Sequence, residues 1–179
     1  MRCFHKRKPG FHLILMIIIL TVLGTVGCSN NQTQPPPAQE QTEEITLYFD
    51  ASTPEREYLA PEKRKVEKGD LPLKAMEELI KGPSEGSELK PVLPKETKVR
   101  SVKVEDNIAY VNFSKDLIDN LNVGSSGEII VISAIANTLT EFPGIDKVQI
   151  LIEGEKTETL AGHIDITEPV ERNEKIIKE

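Results

Sequence analysis

The chain is 179 residues long, with 22 basic and 29 acidic side chains, two cysteines and no tryptophan. Setting aside Arg2, Lys6, Arg7 and Lys8, 18 bases remain against 29 acids, a charge of about −11 that excludes nucleic acid and anionic lipid headgroups as partners. The cysteines, Cys3 and Cys28, both fall near the N-terminus and leave the rest of the chain with neither a disulfide framework nor a Cys/His zinc site.

Those four cations, with no acid among residues 1–27, precede an apolar run from Leu13 to Val26. The order of charge then apolar residues is that of a secretory signal peptide. The run is about 14 residues, short of the roughly 20 a helix needs to cross a bilayer. It ends in Gly24-Thr25-Val26-Gly27-Cys28-Ser29-Asn30, which resembles a bacterial lipobox, with Thr25 standing where that pattern prefers Leu. The resemblance implies lipidation of Cys28, removal of residues 1–27, and anchoring of the chain on the outer face of the cytoplasmic membrane. More than one buried acyl chain at Cys28 gives stable attachment.

Residues 28–44 carry the lipidated cysteine and a Gln-, Thr- and Pro-rich stretch with Pro35-Pro36-Pro37 at its centre. With no large apolar side chain before Ile45, this stretch is expected to be a disordered tether. Residues 45–167 have the length of one domain with its own core. Residues 168–179 are mostly charged, with Ile176-Ile177 as their one apolar pair, and read as a frayed tail or a short marginal helix.

Within the domain, Ile45, Leu47 and Phe49 alternate onto one face of a strand. A second strand is expected between Tyr58 and Val66, with Glu62-Lys63-Arg64-Lys65 as a solvated edge. Asp70 can cap a helix that tolerates Pro72 in its first turn and buries Leu73, Met76, Leu79 and Ile80, with Lys74/Glu78 and Glu77/Lys81 paired on its outer side. Gly82-Pro83 ends it. Asp106-Asn107 predicts a two-residue hairpin turn that sets Val104 opposite Ala109 and Val102 opposite Val111. A short helix is expected from Lys115 to Leu121. Ser125 and Glu128 have capping-box spacing before a run to Phe142, whose polar residues Ser133, Asn137, Thr140 and Glu141 form one helical stripe, predicting a mostly buried helix with Asn137 exposed. Val148, Ile150 and Ile152 then alternate as a central strand, and a further short strand is expected from Thr157 to Leu160. The order predicts an α+β fold, two helices packed on one face of a mixed, largely antiparallel sheet.

The segment after Cys28 holds a single histidine, His163, and no cysteine. That excludes Cys/His catalysis, and no serine sits in a G-x-S-x-G context. No glycine-rich phosphate loop or EF-hand series is present. No catalytic, cofactor-binding or metal-ligating residue is expected, and Cys28 is the one assigned site. Paired carboxylates acting on peptidoglycan are the alternative, because two acids a few ångströms apart suffice for glycan cleavage in a cell-wall setting; with 29 acids some pair is inevitable, so the count is not evidence for it.

Leu47-Tyr48-Phe49, the Leu59–Val66 strand, Leu79-Ile80-Lys81-Gly82-Pro83, Leu93-Pro94, Ala109 to Ser114, Thr138 to Phe142 and Gly154 together resemble the GerM-like (GerMN) sporulation and spore-germination domain family. The resemblance spans about residues 45–167 and one copy of the domain. It implies a small α+β module on membrane-anchored lipoproteins that serve sporulation, germination or envelope assembly. Partners implied are an envelope protein, a cell-wall polymer or a second copy of the chain.

Overall fold

The computed structural model describes residues 41–178; the signal peptide, Cys28 and the tether up to Glu40 lie outside the described residues. Strand β1 (Thr42–Asp50) buries Ile45, Leu47 and Phe49, as their alternation requires. It begins before Ile45 and so takes Thr42, Glu43 and Glu44 out of the tether. Strand β2 (Leu59–Glu67) runs antiparallel beside it, with Tyr48 opposite Pro61. Lys63 and Lys65 are exposed as a solvated edge demands. Arg64 is not. Its guanidinium turns inward to Glu62 at 2.5 Å, Glu78 at 2.9 Å and the Gly82 carbonyl at 3.0 Å, and sits 5.8 Å from the Phe49 ring centroid.

Helix α1 (Leu71–Lys81) starts where Asp70 Oδ1 accepts the Leu73 N–H at 3.2 Å, and it buries Ala75, Met76 and Leu79. Glu78 is drawn to Arg64, so the expected i,i+4 pairs do not form: Lys81 reaches Glu78 one position nearer, and Lys74 approaches Glu67. Gly82 closes the helix at φ 85°, ψ 179°, a conformation that a side chain makes costly.

The hairpin of β3 (Val99–Glu105) and β4 (Ile108–Phe113) turns on Asp106 and Asn107, both at positive φ. Its register pairs Val104 with Ala109 and Val102 with Val111, as the hydrophobic pattern specifies. After the one-turn helix α2 (Asp116–Asn120) comes α3 (Ser125–Leu139), the most buried element. Strand β5 (Lys147–Ile152) lies parallel to β4 on one side and antiparallel to β6 (Glu155–Lys156) and β7 (Val170–Glu171) on the other, which makes it central.

The fold is α+β, with one sheet resolved into two: the β1–β2 pair and a five-stranded sheet ordered β3-β4-β5-β6 with β7 beside β5. Helices α1 and α3 pack on each other and against strands of both sheets. No strand forms over 157–160; that backbone is used elsewhere. The stretch expected to be a frayed tail or short marginal helix is ordered over its described residues, up to Lys178. It contributes β7 and a 3-10 turn (Glu174–Ile176), and Ile177 bridges to Leu59.

Candidate functional site

Helix α3 is apolar on most sides, yet Glu128, Ser133, Asn137 and Thr138 are all buried within it. A polar group taken out of water must be hydrogen-bonded or it costs on the order of 1–3 kcal/mol. Each of these therefore has work to do in the interior.

Glu128 does not form a capping box. Gly124 occupies the cap position, no side chain caps the helix, and Ser125 is already in its first turn. The Glu128 carboxylate instead crosses to the 160–163 loop, accepting the N–H groups of Leu160 at 2.8 Å, Ala161 at 2.7 Å and His163 at 2.9 Å. Three converging amides satisfy the buried carboxyl group, and the Leu160 amide at the end of the expected strand is thereby taken out of sheet pairing. Thr138 Oγ1 accepts the Tyr48 N–H at 3.1 Å, tying α3 to β1.

Immediately before Thr138, Asn137 is fully buried rather than exposed, and its amide reads the backbone of Asn173 with both ends. Its Oδ1 accepts the Asn173 N–H at 2.7 Å and its Nδ2 donates to the Asn173 carbonyl at 3.0 Å. The Asn173 side chain donates to Ser133 Oγ at 3.2 Å. Beside this clamp, Arg172 enters a slot between Tyr48 and the end of α3. Its Nη2 lies 2.6 Å from the Tyr48 hydroxyl and 2.7 Å from Glu141 Oε1, its Nη1 donates to the Asn137 carbonyl at 2.9 Å, and its Cζ is 5.1 Å from the Tyr48 ring centroid. Tyr48 donates to Glu141 at 2.7 Å. Burial, then that hydrogen bond to Glu141, raises the Tyr48 phenol above its ordinary value against the pull of Arg172. Burial opposes the Arg172 charge, but Tyr48 and Glu141 outweigh it and hold the guanidinium ionised.

The polar stripe of α3 thus forms one wall of a groove and Tyr48 the other; Arg172 and Asn173 of the 170–178 strap enter it, while Val170-Glu171 pair with β5 and Ile177-Lys178 with Leu59. Sequence reading located the stripe but turned it to solvent. The signal that could have corrected it is the composition of the C-terminus, where Arg172-Asn173 supplies partners for buried polar groups.

A second depression of about 270 Å³ lies at the start of α3, lined by Asp50, Ser52, Glu57, Val92, Ser126 and Val131 among others. Two carboxylates, Asp50 and Glu57, are among its lining. Asp50 accepts the Ser52 N–H at 2.7 Å. A hydrogen bond from Ser126 holds the Glu57 carboxyl below its ordinary value, whereas a glycosidic general acid needs its carboxyl raised. His163 contributes its backbone to Glu128, and its imidazole is in an exposed residue. Cys28, the one site residue expected from sequence, lies outside the described residues.

Fold and site define a small mixed α+β domain whose most developed polar groove is filled by its own C-terminus. The family model for sporulation and spore germination, Germane, matches residues 46–158, and the chain belongs to that family. It is 28% identical over 138 residues to the spore germination protein GerM of Bacillus subtilis, covering 73% of this chain and 37% of that protein, so it spans little more than a third of that relative's length. Among solved structures, the tandem GerMN domains of Bacillus subtilis GerM match with a TM-score of 0.65 and 25% identity over 82% of this chain and 51% of that one. A Clostridium perfringens protein provisionally assigned as a lipoprotein matches at 33% identity, with a TM-score of 0.54 over 73% of this chain and 88% of that one. Among the described residues no helix is long and apolar enough to cross a membrane.

Proposed function

We propose that this protein is a non-catalytic lipoprotein module, anchored through Cys28 on the outer face of the cytoplasmic membrane, that serves sporulation or germination by binding other envelope components. The observation that carries this reading is how the buried polar groups are used. Glu128 is saturated by three backbone amides, and Arg172, Asn137 and Glu141 are engaged with one another and with the chain. Chemistry that is fully spent on holding backbone positions surfaces rather than activating a substrate. The similarity to GerM and to a provisionally assigned lipoprotein supports the sporulation context and the anchor.

The competing hydrolase reading needs one carboxyl held neutral near neutral pH, and the direction of the Glu57 shift opposes it. Incubating purified protein with peptidoglycan tests this: no soluble fragments above the buffer control are expected. Release of fragments that Glu57→Gln abolishes without unfolding the domain would overturn the proposal. The anchor is tested by feeding cells an alkyne fatty acid, with label expected on the wild-type chain and none on Cys28→Ala.

A further inference from the structure

The depression at the start of α3 is a preformed pocket. The buried side chains of Val92, Ile130 and Val131 give it an apolar floor, and the half-buried Asp50 and Glu57 stand at its rim. Backbone holds its walls. In the β1–β2 loop the Ala51 N–H donates to the Tyr58 carbonyl and the Thr53 N–H to the Arg56 carbonyl, both at 2.9 Å, while Asp50 and Lys90 exchange N–H to carbonyl bonds at 3.2 and 2.9 Å. On the opposite wall Gly127 lets Val123 close on the first turn of α3, where an added Cβ would stand 2.7 Å from the Val123 Cβ. A pocket fixed in advance loses little conformational freedom on binding.

Size and charge select the occupant. At about 270 Å³ the pocket is smaller than the roughly 300–1,000 Å³ of small-molecule sites, and no aromatic ring lines it as a platform for a sugar. One anchoring side chain from a protein partner matches that scale. The charged residues of the lining are both acids. Among the described residues the Asp50 carboxylate has one hydrogen bond, from the Ser52 N–H at 2.7 Å. Glu57 already meets the N-terminal turn of α3 through Ser126, the place where an anion is favoured. Two bases of the adjoining loops are engaged by other groups: Lys90 donates to the Ser52 carbonyl at 3.4 Å, and Arg56 donates to the Lys175 carbonyl at 3.4 Å with its Cζ 5.0 Å from the Tyr58 ring centroid. Lysine and arginine carry a cation on an aliphatic stem, which fits an apolar floor with an acidic rim.

We propose that this pocket is a docking site for another envelope protein and takes one lysine or arginine side chain of that partner, its stem on Val92, Ile130 and Val131 and its cation between Asp50 and Glu57. The inference rests on the reading that the domain binds other envelope components, and it adds the site and the kind of residue received.

Titrating the isotope-labelled purified chain with the peptide acetyl-Gly-Lys-Gly-amide, followed by backbone amide chemical shifts, tests it. Shifts centred on Ser52, Val92, Ser126 and Gly127 are expected, with affinity about fivefold weaker when norleucine, which has the stem without the ammonium, replaces the lysine. Asp50→Asn keeps an oxygen for the Ser52 N–H and removes the charge, and it should weaken the lysine peptide by a similar factor. A lysine peptide that leaves the pocket amides unmoved, or a norleucine peptide that binds as well, overturns the proposal; both comparisons use the unaltered chain and so stand even where the variant fails to fold. Soluble peptidoglycan fragments that shift these amides when the lysine peptide does not would give the pocket to the wall and overturn a protein partner. A pocket silent to lysine in a chain that still forms protein adducts in cells would overturn this site and leave the proposed function standing.

Discussion

Glu128 carries the largest single-residue consequence. Replacing it by Gln keeps one oxygen for the Leu160 and Ala161 amides but turns an NH2 toward the His163 N–H, leaving that one amide without its acceptor at about 1–3 kcal/mol. Urea denaturation of Glu128→Gln should show a loss of about 1–3 kcal/mol, and faster exchange of the His163 amide than in wild type. Asp70→Ala should cost about 1 kcal/mol by the same assay, since it removes one cap on α1. The two residues were not equally legible. Asp70 lies next to the backbone it satisfies, so its role can be read from local spacing alone. Glu128 has the local spacing of a capping box, but its partners are more than 30 residues away, and the tertiary alternative offered three amides where the box offers one.

Elements that close on themselves were readable from the sequence. The β3–β4 hairpin carries its turn, its alternation and its register within 15 residues, and the observed pairing follows. The strap was not, because residues 168–178 have too little apolar content to signal docking and are held by side chains from α3 and β1. The β2–α1 junction depends on a charge cluster of the same long-range kind. Burial raises the pKa values of Glu62 and Glu78, but Arg64 and Ser84 for the first, and Lys81 and Arg64 for the second, outweigh it, so both lie below the ordinary 4.5. A carboxyl depressed in the folded state contributes stability that is present above its unfolded value and lost as pH falls through its folded value. Urea midpoints should therefore be flat from about pH 7 to 5.5 and drop below about pH 4.5. Arg64→Met should lower stability at neutral pH by about 1–2 kcal/mol, because Glu62 and Glu78 lose the guanidinium they share while keeping Ser84 and Lys81, and should reduce the acid drop.

At the scale of the whole molecule, strand and helix order gave the α+β class, while the division into two sheets escaped it. Alternation reports which face of a strand is buried and is silent on which strands are hydrogen-bonded, and α3 spans the gap between β1 and β5 without a ladder. The resulting domain spends its buried polar chemistry on its own chain and leaves function to its surface. The direct test is cross-linking in living cells, with photoreactive residues placed singly at Lys103 on the β3 edge and Lys175 on the strap, both exposed, followed by mass spectrometry. The account predicts discrete protein adducts. Adducts confined to wall fragments, with peptidoglycan released in their presence, would contradict it.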